Sequence, residues 1–441
     1  MKRSFKIHIR SRIKNVEILL KQIITVVFLI SNFTSCDIQE QWNFDSSSAR
    51  RTSISNNYYD LTQNEISLLE GIYKVNYGND FVGDTLVLKY IKNKIAVFGV
   101  KDGFYSIMEV KRDSVDIVFN GEWRFALNKR NGNVFLKTNY NEFLNNIETY
   151  KGDVFFSGDY MLEDTLRAID IHLSKIENLN YEITNNKFHI IAHRGGGRTA
   201  DHLPYSENSI EMINFSEQIG STGIEIDVQL TKDNIPVLYH DPDLNIRLIK
   251  KGPLIGFIKD YNLNQLKKLV KLIHGEQIPT LEEALDFVIE KTQISLILLD
   301  IKNSESFNFV IPIQKKYIDI AREKGKEVEI LISIQTNEVY ESFKKVEGYT
   351  EIPSCCTMEK EKVKALNSSF WNYRWTQGIL TQELIEMHSM GKRCTVWTLD
   401  VPEFIDLYVS HGKNNPLERF DGILTNYPSI VAYYHYVRHN K

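Results

Sequence analysis

From Lys187 to Lys441 the sequence alternates apolar runs of strand length with longer amphipathic segments, and no other feature restricts the fold as strongly. The runs "KFHIIAH", "GIEIDVQL", "ISLILLDIK", "EVEILISI", "KRCTVWTL" and "DGILTNYP" are rich in Ile, Leu and Val. Strands this apolar need cover on both faces, as parallel sheets have. Helical patterns fall between them, at 207–218, 264–273, 281–291 and 304–324. Thr280 and Glu283 have the spacing of a capping box. A further helix begins at Pro402, a favoured first-turn residue, and stops near Gly412. Strand and helix alternating over about 250 residues predict an α/β fold, a parallel (β/α)8 (TIM) barrel spanning 187–441. In such a barrel, functional side chains gather where strands end at their C-terminal side.

The 441 residues exceed one average domain. Between Gly71 and Thr149 short β-like runs are cut by Gly- and Asn-rich turns, with a hairpin around Lys92-Asn93-Lys94. This texture predicts a small all-β domain, sandwich or barrel-like, over 61–160. Trp123 and Tyr105 are read there as core residues rather than a ligand face. A linking helix is expected over 161–186, because "EDTLRAIDIHLSKIENL" has helical spacing. The first 36 residues combine a basic stretch, the apolar "IITVVFLI" and "FTSC" ending at Cys36, the order of an export signal. "FTSC" resembles a bacterial lipobox with Phe33 in place of Leu; the alternative is a plain signal with an incidental cysteine. The expectation is an exported, membrane-anchored lipoprotein of the cell envelope, lipidated at Cys36 and tethered through 37–60. Cys355, Cys356 and Cys394 form no disulfide framework and are expected to be buried. The net charge of −4 gives no support for a nucleic-acid partner.

Several strand ends carry charge. In "GIEIDVQ", Glu225 and Asp227 share one strand face while Ile224, Ile226 and Val228 share the other. Two carboxylates about 7 Å apart along one face repel each other unless a cation lies between them. A hard divalent ion held by oxygens answers that need, with Asp300 as a third ligand and Lys302 on a phosphate oxygen. A set of salt bridges lining a barrel mouth is the competing explanation. His193 and His240 end two further apolar runs, which suggests an acid–base pair working near neutral pH.

In order, "IIAHRG", "ENS", "GIEIDVQLTKDNIPVLYHD", "LIGFIKDYNLNQLKKL", "IPTLEEAL", "LDIK", "VWTL" and "GILTNYP" resemble the glycerophosphodiester phosphodiesterase family. The resemblance covers 188–434. It implies a TIM barrel with a small insertion near the second histidine, hydrolysing phosphodiesters with one divalent metal ion, Mg2+ or Ca2+. It matches Glu225, Asp227 and Asp300 to the metal ligands and His193 and His240 to the catalytic pair. It also matches Arg194 and Lys302 to phosphate-binding cations and Trp397 to an aromatic near the substrate. Glu207 is expected to support the site from a helix start. Asp300 stands where the family usually has Glu. Asn426 replaces a common Asp, a change expected to be tolerated if the position is only structural. "GGRTADHLPYS" lengthens the link between HRG and ENS, and Gly196 and Gly197 are expected to serve flexibility alone. The substrate is expected to be a glycerophosphodiester. The alternatives are phospholipase D-like cleavage of a lysophospholipid and a non-catalytic barrel that binds headgroups or a partner. The β-rich domain is read as a spacer, with a glycan or protein ligand as the alternative.

Overall fold

The computed structural model describes residues 58–149, 152–179 and 188–439. The export signal, Cys36 and the tether up to residue 57 lie outside them. Among the described residues no helix is long and apolar enough to cross a membrane.

The N-terminal part is a closed, up-and-down antiparallel barrel of eight strands in sequential order. Its strands are β1 (Gly71–Tyr77), β2 (Thr85–Ile91), β3 (Lys94–Gly99), β4 (Phe104–Arg112), β5 (Asp116–Phe125), β6 (Asn131–Asn139), β7 (Val154–Leu162) and β8 (Thr165–Glu177). Lys92 and Asn93 both take positive φ in the β2–β3 turn, the backbone a two-residue hairpin demands. Trp123 is buried inside this barrel with Phe81, Phe104 and Phe156. The interior keeps a cavity of about 40 Å³ with an almost wholly apolar lining, the volume of about three waters at roughly 10–15 Å³ each.

Of the linking helix expected over 161–186, residues 180–186 lie outside the described residues, and over 161–179 the end of β7 and the whole of β8 stand in its place. The spacing of Leu166, Ile169, Leu173 and Ile176 suits a helix, yet Leu166 and Ile176 are exposed. The side chains that bury are Ile169, Ile171 and Leu173, with period two. Antiparallel pairing of β8 with β7 on one side and β1 on the other closes the barrel and decides between the two periods.

The second part is the predicted parallel barrel. Strands β9 (His189–Ala192), β10 (Gly223–Leu230), β14 (Leu296–Ile301), β15 (Glu329–Ile334), β16 (Ser354–Cys356), β17 (Phe370–Arg374), β18 (Arg393–Trp397) and β19 (Gly422–Thr425) pair in that order, and β19 returns to β9. Three short strands lie outside the ring before β14: β11 (Pro236–Leu238), antiparallel to β10, and the pair β12 (Asp243–Leu244) and β13 (Gly256–Phe257), antiparallel to each other. The run that ends at His240 is therefore not a barrel strand. Ile191, Leu296, Leu298, Leu331, Phe370 and Leu424 fill the ring, and the outer faces pack on the helices. The capping box is present: Thr280 Oγ1 accepts from Glu283 N–H at 3.1 Å. It begins the helix Leu281–Lys291 and contributes about 1 kcal/mol.

The two barrels pack directly. Val87, Ala96, Phe98 and Tyr105 bury their outward side chains in the same apolar cluster as Ile219, Ile430 and Ala432. A Cβ on Gly220 would meet Ala432 and Phe98. Tyr105 thus belongs to the contact between barrels, consistent with its reading as a packing residue.

Candidate active site

His193, Arg194 and Gly195 form a single turn at the C-terminal end of β9. Arg194 has φ +54° and Gly195 φ +79°. A Cβ on Gly195 would lie 3.1 Å from Ile213, a tight contact, and the positive φ is what favours glycine there. The turn aims Arg194 N–H at Glu225 Oε2, 2.9 Å away. Gly196 has a packing role as well, because its Cβ would strike Met212; flexibility alone does not account for it.

Glu225, Asp227 and Asp300 point into the mouth from β10 and β14, with Asp227 directly opposite Asp300 in the parallel register. All three are buried, and one oxygen of each lies within 4.8 Å of the others. The Lys302 ammonium reaches Asp227 at 2.6 Å and Asp300 at 2.5 Å. One cation does not balance three carboxylates. Burial, then the charges of Asp227 and Asp300, push the Glu225 carboxyl well above its usual range. Burial raises Asp300 too. Burial would also raise Asp227, but Lys302 outweighs it and holds that group at about 2. An all-oxygen donor set with uncompensated negative charge fits a hard divalent cation. The residues to hold it are the three that the sequence singled out.

Both imidazoles border this cluster, His193 beside Glu225 and His240 through Arg194. Asp400 accepts from both the backbone N–H and the Nδ2 of Asn426, at 2.8 and 2.6 Å. That leaves Asn426 Oδ1 as the acceptor for His193 Nδ1–H at 2.8 Å. His193 Nε2 then carries a lone pair, 3.9 Å from Glu225 Oε2. Burial, reinforced by the Arg194 charge, lowers the His193 pKa. The Arg194 guanidinium can only donate, so His240 Nε2 accepts from Nη2 at 2.8 Å. His240 Nδ1–H donates to Asp241 at 2.6 Å.

Each residue of "ENS" has a task here. Glu207 is buried and accepts from Arg194 Nη1 at 2.7 Å, from Arg247 at 3.1 Å and from the Thr199 N–H at 2.7 Å. Asn208 donates to Asp227 Oδ2 at 2.7 Å and accepts from Asp227 N–H at 3.0 Å. Ser209 caps the helix Ile210–Gln218. The extended loop after HRG is held from outside the parallel barrel: Arg124 of β5 donates to Asp201 O at 2.6 Å and Lys129 to Ala200 O at 2.7 Å.

The structure therefore brings His193, Arg194, Glu225, Asp227, His240, Asp300 and Lys302 into one cleft. Trp397 ends β18 on the same rim, with the Arg374 guanidinium 4.7 Å from its ring centre. The reading of Asn426 as tolerated on structural grounds needs correction, because that amide touches His193. Sequence reasoning missed Asn208, Asp241, Arg247 and Asp400. Their side chains act on other side chains, and no spacing in one strand reveals that. The one available signal was adjacency to recognised motifs.

The model of the glycerophosphoryl diester phosphodiesterase family matches residues 193–429. A glycerophosphodiester phosphodiesterase of Caldanaerobacter subterraneus subsp. tengcongensis is 27% identical over 251 residues, covering 55% of this chain and 95% of the relative. Human glycerophosphodiester phosphodiesterase 1 is 35% identical over 102 residues, 21% of this chain and 28% of that protein. Among solved structures, a glycerophosphodiester phosphodiesterase from Parabacteroides distasonis aligns with TM-score 0.43 and 19% identity, covering 56% of this chain and 97% of that one.

Proposed function

The chain belongs to the glycerophosphoryl diester phosphodiesterase family, and on that premise we propose that it hydrolyses glycerophosphodiesters to glycerol phosphate and an alcohol. The observation that carries the reading is the orientation of the two imidazoles. Each has Nδ1–H fixed on a partner, Asn426 or Asp241, and Nε2 directed at the carboxylate and guanidinium cluster. One histidine takes the proton of the nucleophile, which is water, or the substrate's own glycerol hydroxyl to give a cyclic phosphate that water then opens to glycerol phosphate. The other protonates the departing alcohol oxygen. Arg194 and Lys302 place positive charge where the nonbridging phosphate oxygens gather charge. Glu207 holds Arg194 by accepting from its Nη1, and Arg247 in turn fixes Glu207. Glu225, Asp227 and Asp300 would hold Mg2+ or Ca2+, which supplies Lewis-acid charge at a phosphate oxygen. Trp397 supplies an aromatic wall on the rim. The basic and apolar N-terminal series ending at Cys36 supports export and membrane anchoring.

The test is a product assay on glycerophosphocholine. Release of glycerol phosphate and choline is expected, with loss on chelation and recovery with Mg2+ or Ca2+. His193→Ala and His240→Ala should each lower kcat by about 10²–10⁴-fold with an unchanged circular dichroism spectrum. Near-normal turnover by either variant on every accepted diester would overturn the assignment, and indifference to chelation would remove the metal.

A further inference from the structure

The insertion after His240, residues 241–277, has a surface unlike the rest of the molecule. Ile246 and Ile255 are 81% and 80% exposed, the two most exposed large apolar side chains among the described residues. Phe257 and Leu269 are exposed as well. Lys250, Lys251, Lys259, Lys268 and Lys271 are exposed in the same segment, and none forms an ion pair with a described residue. Asp260 is its one exposed carboxylate, and it accepts the Phe257 N–H at 2.9 Å. This cationic excess is local, since the whole chain carries −4.

The backbone draws parts of the segment together, and Lys259 Nζ lies 5.9 Å from the Phe257 ring centre. Leu244 stands opposite Gly256 in the β12–β13 pair, so Ile246 and Ile255 flank the same end of the ladder. Lys250 N–H donates to Lys271 O and Ile273 N–H to Leu248 O, both at 2.9 Å, which lays 248–250 along 271–273. The segment also touches the site: its Asp241 holds His240, and its Arg247 reaches Glu207.

We infer that this insertion docks on an anionic lipid surface, with Ile246, Ile255 and Phe257 entering the interface and the lysines meeting lipid phosphates. Exposed apolar tips on a segment rich in exposed lysines suit a fluid interface, which adapts to them. Docking would set the mouth of the barrel against the membrane. The inference is independent of the hydrolytic chemistry and goes beyond it.

Amide exchange on the full chain tests it, because that readout separates the insertion from any contact through the N-terminus. Phosphatidylglycerol vesicles should slow exchange across 245–257, and phosphatidylcholine vesicles should not. Lys250→Gln/Lys251→Gln/Lys259→Gln should weaken this protection by on the order of a hundredfold in lipid concentration, and Ile246→Ser/Ile255→Ser should abolish it. Both variants should keep wild-type turnover of soluble glycerophosphocholine, which shows that they fold. Unchanged exchange at 245–257 with phosphatidylglycerol, or protection that survives in the variants, overturns the inference. So does a protein dimer that Ile246→Ser/Ile255→Ser dissolves, which would assign the face to a second copy of the chain.

Discussion

Asn426 shows how much a single amide can decide. Its Nδ2 and backbone N–H are both taken by Asp400, so only its oxygen is left for His193. A carboxylate at position 426 would face Asp400 with like charge. Asp400→Asn removes one acceptor and lets the Asn426 amide turn its NH2 toward His193, which favours the wrong tautomer. Each single variant, Asn426→Asp or Asp400→Asn, should lower kcat about 10–100-fold. The double exchange Asp400→Asn/Asn426→Asp should restore most of it and shift the pH profile, because the negative charge then lies directly on His193. Steady-state kinetics across pH checks this; a double variant no better than the singles would show that the pair does not orient the ring.

At the scale of elements, secondary structure was legible where one periodicity dominated. The helix Leu281–Lys291 has the predicted bounds because its cap and apolar stripe agree. β16 and β17 escaped notice because "SCC" and "FWNYR" are short, and neither has a pattern of its own. β8 was misread because two periods compete in one segment. An ion pair between elements allows a test of pH dependence. His388 in the helix Thr381–Ser389 donates to Asp421 just before β19 at 2.8 Å, and that bond raises its pKa above the ordinary 6.5. A raised histidine pKa stabilises the fold fully below the unfolded value and loses that contribution as pH rises through the folded one. The melting temperature should therefore fall as pH rises above about 6.5, more steeply in the wild type than in His388→Gln. Parallel curves for the two proteins would show that the pair adds no pH-dependent stability.

At the scale of the molecule, the antiparallel barrel braces the parallel one. Its outer face buries Phe98 and Tyr105 against the parallel barrel, and Arg124 and Lys129 grip the loop whose Thr199 N–H binds Glu207. A chain cut to residues 188–441 would expose Ile219, Ile430 and Ala432 and release that loop. It should aggregate or melt well below the full chain and turn over glycerophosphocholine more slowly. Calorimetry and the product assay check this, and a truncated barrel with full stability and activity would return the N-terminal part to a spacer.

The sequence by itself determined the parallel barrel and the identity of the chemical groups. Apolar strand runs and charged strand ends are local patterns, and motif order places them along one chain. Tertiary structure decided what those groups do to one another. Which tautomer each histidine holds, which oxygen Asn426 presents, and which barrel braces the loop all depend on residues far apart in sequence. Asp400 and Asn426 stand on different strand ends, and Arg124 and Asp201 on different barrels. Hydrogen bonds act over about 3 Å, so only the closed fold sets these contacts.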